Sequence, residues 1–200
     1  MSGKQKVLLN SGLYAFSSVL IKAIGFILLP VYTLFLTPAD YGITGLVTGF
    51  NSVATFVVGF SLYSALIRFH ADYKDDRKKL KRFYGTVIAF VFCSGAVFAG
   101  LGFLLREFLT AWLFKGIDFY PVILIALLVL IFISLHTVHQ SIMQGMQQGK
   151  KLTIINLTFF CLQAGLNLLF IGAFRLGAVG VLLAALTVNI SYFVYMLADL

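Results

Sequence analysis

The first long apolar stretch of this sequence contains a charge, Lys22, within SSVLIKAIGFILLPVY (17–32). An ammonium at the centre of a membrane helix costs roughly 2.5 to 3.5 kcal/mol even on lenient insertion scales, so it needs wet or polar surroundings. Positions three, four and seven apart share a helix face, which groups Ser11, Ala15, Ser18, Lys22 and Gly25. That small, weakly polar face suits a bundle interior or a watery cavity. The alternative is a lysine that snorkels to the membrane surface.

Two further stripes repeat at helical spacing. His136, Gln140, Gln144 and Gln147 recur at intervals of four, four and three, and Asn156, Gln163 and Asn167 at seven and four. Lipid offers an amide no partner, so these side chains should turn toward water, ligand or neighbouring helices. Interhelical bonding is one reading of each residue; the wall of a hydrophilic cavity is the reading of the set, with Asn51 and Asn189 as extensions. The chemistry available is hydrogen bonding rather than bond making. All seven acids, Asp40, Asp72, Asp75, Asp76, Glu107, Asp118 and Asp199, fall in loops or at helix ends. No intramembrane carboxylate is therefore predicted to bind a coupling ion, and no acid pair to support hydrolysis. P-loop, HExxH and GxSxG patterns are absent from the sequence. The three histidines lack a ligand set, Cys93 and Cys161 read as apolar fillers, and no metal, cofactor or catalytic residue is expected.

The elements that must carry these residues are legible from composition. The 200 residues are 60% hydrophobic and 11% charged, with a mean hydropathy of +1.00, outside the range of water-soluble domains. The fold class is all-α integral membrane protein. Six apolar runs mark helices at 7–36, 41–67, 83–105, 119–146, 152–174 and 177–197, each long enough for a hydrocarbon core of about 30 Å. Together they predict a single six-helix lobe over 1–200. LTPADYG (36–42) ends the first helix, and its Asp40 suits the positive start of the second.

Charge placement predicts orientation. Of the 15 Lys and Arg, eleven fall at the N-terminus, in RFHADYKDDRKKLKRFYG (68–85), or at 150–151, whereas the opposite loops hold only Arg106, Lys115 and Arg175. This asymmetry places both termini in the cytoplasm and excludes nucleic acid as the reason for the basic balance. The segment 68–85 reads as a topogenic loop, or as a patch for anionic headgroups or a partner enzyme.

SSVLIKAIGFILLPVYTLFLTPADYG (17–42), with its turn at Pro38, Tyr41 and Gly42, and SLYSALIRFHADY (61–73) resemble the polysaccharide-transporter branch of the multidrug/oligosaccharidyl-lipid/polysaccharide superfamily. The resemblance covers the whole chain. It implies one six-helix lobe of the twelve to fourteen helices usual in such flippases, which move lipid-linked sugars across the bacterial cytoplasmic (inner) membrane by alternating access. It implies as partners a lipid-linked glycan of the undecaprenyl diphosphate type, membrane lipids, and a second lobe or second copy of the chain. Lys22, with Arg68 as a second candidate, would then attract the diphosphate, since an ammonium in a low-dielectric cavity acts more strongly than one in bulk water. His136, Gln140, Gln144, Asn156, Gln163 and Asn167 would meet sugar hydroxyls. The alternatives are a multidrug and toxin extrusion type antiporter, which normally carries a coupling acid, and a non-transporting scaffold for glycan assembly enzymes.

Overall fold

The structure, a computed structural model, describes residues 32–73 and 76–199 and scattered helical positions between 12 and 30. Most of the predicted first helix, including Ser11, Ser18 and Gly25, lies outside the described residues.

Thr37, Pro38 and Asp40 start helix α1 (Pro38–Gly59). The Asp40 amide donates to Thr37 Oγ1 at 3.2 Å, and the Thr37 amide donates to Asp40 Oδ2 at 2.9 Å. This reciprocal cap occupies donors that a helix start leaves free, and Pro38 sits where no amide is needed. Asp40 reaches further, because its Oδ1 accepts from the Ala178 amide at 2.8 Å and ties α1 to the last helix. Neighbouring Gly177 has φ of 55°, and a Cβ there would stand 2.7 Å from Asp40 Oδ1. Backbone twist and space both require glycine at that position.

The apolar run 41–67 predicts one unbroken helix, but the structure divides it into α1 and α2 (Leu62–Tyr73). Phe60 and Ser61 adopt φ of 45° and 54°, which ends the α1 hydrogen-bond ladder. Tyr63 closes the break. Its ring occupies the space where a Gly59 Cβ would be, and its hydroxyl donates to the Thr55 carbonyl at 2.9 Å.

Helix α3 (Arg77–Leu104) begins earlier than the predicted 83 because Asp76 caps it, accepting from the Lys79 amide at 3.1 Å. A wide turn at Phe119–Ile123 leads into α4 (Leu124–Gly145). Helix α5 (Gly149–Asn167) runs on through a second wide stretch, Leu168–Ala173, before α6 (Gly177–Asp199). Among the described residues, five stretches are long and apolar enough to cross a membrane: Pro38–Gly59, Lys78–Leu104, Phe119–Gly145, Gly149–Ala173 and Gly177–Asp199. The protein is an all-α, multi-pass membrane protein, with no strand among the described residues.

Helix α4 is the hub, touching α1, α2, α3, α5 and α6. Over half of its most apolar window is buried, against a third or less in the other four spans, whose apolar outer faces suit lipid. One apolar cluster gathers Leu66, Val91, Leu130, Leu135, Ile142 and Tyr192; another gathers Val47, Phe114, Ile123, Ala126, Leu127 and Leu182. The end of α2 meets the start of α3 and the end of α4, since His70 lies against Tyr84 and Gly145. Lys151 at the start of α5 pairs with Asp199 at the end of α6. The Asp40–Ala178 link joins the starts of α1 and α6, at the end of α6 away from Asp199, and the basic residues at 78–82 and 150–151 share the Asp199 end of the bundle.

Candidate functional site

Helices α4, α5 and α6 bring their amides together. His136, Gln140, Asn156, Gln163 and Asn189 line a cavity of about 300 Å³ together with Ile133, Phe159, Phe160 and Val188. Gln140 Nε2 donates to Asn156 Oδ1 at 3.1 Å and lies 2.8 Å from His136 Nε2, which therefore accepts. The His136 ring stacks on Tyr192 at a centroid distance of 3.6 Å. Gln163 Nε2 donates to Asn167 Oδ1 at 3.2 Å, and Asn167 Nδ2 donates to Tyr32 Oη at 3.2 Å. These side chains join helices and line a space at once.

A second cavity, of about 470 Å³, adjoins the first and shares Ile133, Gln163 and Asn189 with it. Helix α1 faces it with Thr44, Thr48, Asn51, Ser52 and Thr55, α4 with Thr137, and the α2 side with Tyr63. Among the described residues, neither lining includes an Asp, Glu, Lys or Arg. Most of the hydroxyls turn back to their own helix. Thr44 donates to the Asp40 carbonyl at 3.0 Å, Thr48 to Thr44 at 2.7 Å, Ser52 to Thr48 at 2.8 Å and Thr137 to Ile133 at 2.9 Å. Asn51 Oδ1 and Asn189 Oδ1 are both closed off from the cavity; Asn51 Oδ1 has no donor among the described residues, whereas Asn189 is hydrogen-bonded to the His136 ring.

Of the residues singled out by sequence, His136, Gln140, Asn156 and Gln163 converge on the smaller cavity, and Asn167 is buried beside it through its bond to Gln163. Gln144 is exposed near the end of α4 and lines neither cavity. Lys22 is helical and exposed, and Arg68 is exposed on α2; neither lines these two cavities. The Thr and Ser residues of α1 lie outside the amide stripes, although Thr44, Thr48, Asn51 and Thr55 repeat at four, three and four.

A buried polar group also lies nearer the basic end. His139 Nδ1 is 3.0 Å from Tyr192 Oη, and His139 Nε2 is 3.3 Å from Asp199 Oδ2, whose carboxylate also pairs with Lys151. The sequence carries no signal for a pairing 48 residues apart. Outside the spans, His70 Nδ1 lies 2.6 Å from Tyr84 Oη, and burial pushes the His70 pKa below its ordinary value. The hydrogen bond from the Lys79 amide holds the Asp76 carboxyl below the usual range. No group of three or more His, Cys, Asp or Glu able to hold a metal occurs among the described residues.

The family model described as "polysaccharide biosynthesis protein" matches residues 31–199. The chain belongs to that family. It thereby falls in the flippase-type superfamily that the sequence resembled. No curated protein and no solved structure matches the chain. The matched stretch of this polysaccharide biosynthesis protein contains every residue that lines the two polar cavities, and Arg68; Lys22 precedes it.

Proposed function

We propose that the chain exports lipid-linked oligosaccharide or polysaccharide repeat units across the bacterial cytoplasmic membrane, flipping them by alternating access as one six-helix lobe of a transporter. A second lobe or a second copy of the chain supplies the facing wall. The observation that carries this reading is an uncharged space lined by amides and hydroxyls within the helices of a polysaccharide biosynthesis protein. Sugar hydroxyls find hydrogen-bond partners there that the bilayer core does not offer. Lys22 and Arg68 lie apart from that space and attract the diphosphate of the carrier lipid. Both termini face the cytoplasm, a reading favoured by the basic residues gathered at one end of the bundle. The protein moves its substrate without forming or breaking a covalent bond.

Export in a flippase-null strain carrying the intact system tests the reading, with membrane abundance measured in parallel. The double variant Gln140→Leu/Asn156→Leu is expected to lose most export at unchanged abundance. Lys22→Gln is expected to lose it as well, with Lys22→Arg keeping part, because Arg retains the charge in another geometry. Undiminished export by the double variant would overturn the role of the cavity.

A further inference from the structure

A series of polar side chains leaves the smaller cavity and runs to the basic end of the bundle. His136 lines that cavity and stacks on Tyr192 at a centroid distance of 3.6 Å, and Phe159, also in the lining, meets the same ring edge-on at 4.9 Å. Tyr192 is 1% exposed, and its Oη lies 3.0 Å from Nδ1 of His139, which is equally buried one turn along α4. His139 Nε2 lies 3.3 Å from Asp199 Oδ2, and the other oxygen of that carboxylate pairs with Lys151 of α5. Asp199 and Lys151 are partly exposed, so the series starts at the surface and ends in the cavity wall.

The hydrogens of the series follow from what each atom can do. A carboxylate only accepts, so Nε2 of neutral His139 carries the ring hydrogen and faces Asp199 with it. Nδ1 is then the free lone pair, and the Tyr192 hydroxyl donates to it. One proton taken from solvent leaves hydrogen on both ring nitrogens and makes the ring a cation. Nδ1 becomes a donor, the Tyr192 hydroxyl must turn round to accept, and Asp199 faces two cations instead of one. Among the described residues, the titratable and charged groups set against His139 are Tyr192, Tyr195 and Asp199 of α6, Lys151 of α5 and, on its own helix, His136. His70 of α2, bonded to Tyr84 of α3, lies further along α4 at Gly145.

We infer that His139, Asp199 and Tyr192 form a proton-binding site, and that the wall of the smaller cavity reads its occupancy through Tyr192. A histidine held between an acceptor and a hydroxyl suits this task, because a single proton changes the role of one ring nitrogen and the charge of the whole ring. The re-aimed hydroxyl belongs to the ring beneath His136, which accepts from Gln140 in the lining. The site stands on this geometry; that it governs transport rests on the export reading.

The test uses the purified full chain with isotope-labelled histidine in detergent, its ring nitrogens read by NMR from pH 8 to pH 5. His139, assigned by its loss in His139→Gln, is expected to show the Nε2–H form at pH 8 and to gain a hydrogen at Nδ1 within that range. Asp199→Asn is expected to require about tenfold more acid to protonate the same ring, since an opposite charge beside it is lost. The His136 signal is expected to move as His139 protonates, and Tyr192→Phe, which keeps the stacked ring and removes only the hydroxyl, is expected to suppress most of that movement. A His139 ring that stays neutral to pH 5, or a His136 signal that moves equally in Tyr192→Phe, overturns the inference and marks the cluster as a structural tie between helices. In inverted membrane vesicles carrying the intact system, glycan entry is expected to differ at least about fivefold between pH 8 and pH 6, and Tyr192→Phe to lose most of that difference. Entry by the wild type that ignores pH overturns the inference and leaves the export reading standing. No entry at either pH overturns the export reading, and the NMR result then decides the proton site by itself.

Discussion

Helix α1 separates two spaces of opposite character. One face presents Thr44, Thr48, Asn51, Ser52 and Thr55 to the polar cavity of about 470 Å³. The other presents Gly42, Gly45, Leu46, Gly49 and Val53 to an apolar groove of about 760 Å³, which Phe98 and Leu113 also line. At 100° per residue the mean directions of the two sets differ by roughly 130°, so one 22-residue helix carries both. The hydroxyls of the polar face bond back to their own helix, and directional bonds tie α1 to the rest of the protein at Asp40 and at the Thr55 carbonyl. The apolar face is defined by shape alone, and a Cβ added at Gly42, Gly45 or Gly49 would meet nothing within 4 Å among the described residues. Within a bilayer apolar contact drives helices together only weakly, so stability should depend on the bonds made at and behind the polar face.

The largest effect is expected where both faces share one anchor. Asp40 caps α1 and accepts from the Ala178 amide, so Asp40→Ala removes a cap and a charged acceptor together. A loss of about 2 to 3 kcal/mol is expected, with Asp40→Asn retaining part of it. Thermal unfolding in detergent measures both. Equal melting of wild type and Asp40→Ala would show that the link between α1 and α6 contributes nothing.

A paired substitution tests the contrast itself. Gln140→Leu strips the donor from Asn156 Oδ1 behind the polar wall and is expected to cost about 1 to 3 kcal/mol. Gly49→Ala on the groove side adds a methyl group to open space inside a helix and is expected to stabilise by roughly 0.5 to 1 kcal/mol, with export unchanged. If both variants melt alike, the division of α1 into a bonded face and a shape-only face fails.

The same contrast explains what was legible in the sequence. Long apolar runs reveal spans because the bilayer demands them, and amides at intervals of four and three stand out because lipid cannot satisfy them. His136, Gln140, Asn156 and Gln163 were therefore visible together. The hydroxyls of α1 were not, since Thr and Ser can bond their own backbone and need no partner elsewhere. Gln144 shared the stripe in sequence but lies near the end of α4, where it is exposed. The break at Phe60 and Ser61 left no mark in hydropathy, because neither residue is the glycine that a left-handed turn normally announces. At the start of α3 the charges of 77–82 masked helix that Asp76 caps.

The smallest effect is expected at the basic end, away from both faces of α1. His70 is partly buried with its Nδ1 2.6 Å from Tyr84 Oη, and desolvation lowers its pKa from the ordinary 6.5. Above pH 6.5 folded and unfolded chains are both neutral at this site, so stability does not depend on pH through it. As pH falls through 6.5 the unfolded chain takes the proton first, and stability declines until the folded ring is protonated as well. Protonation also turns Nδ1 into a donor, so the Tyr84 hydroxyl must reverse and accept. The chain holds two other histidines, so the decisive quantity is the difference between wild type and His70→Gln. Melting temperatures recorded from pH 7.5 to pH 5 should fall more steeply for wild type than for His70→Gln, with the curves separating only below about pH 6.5. Parallel curves would mean that the contact of α2 with α3 tolerates the charge, and that His70 holds the end of the bundle by shape rather than by its neutral hydrogen bond.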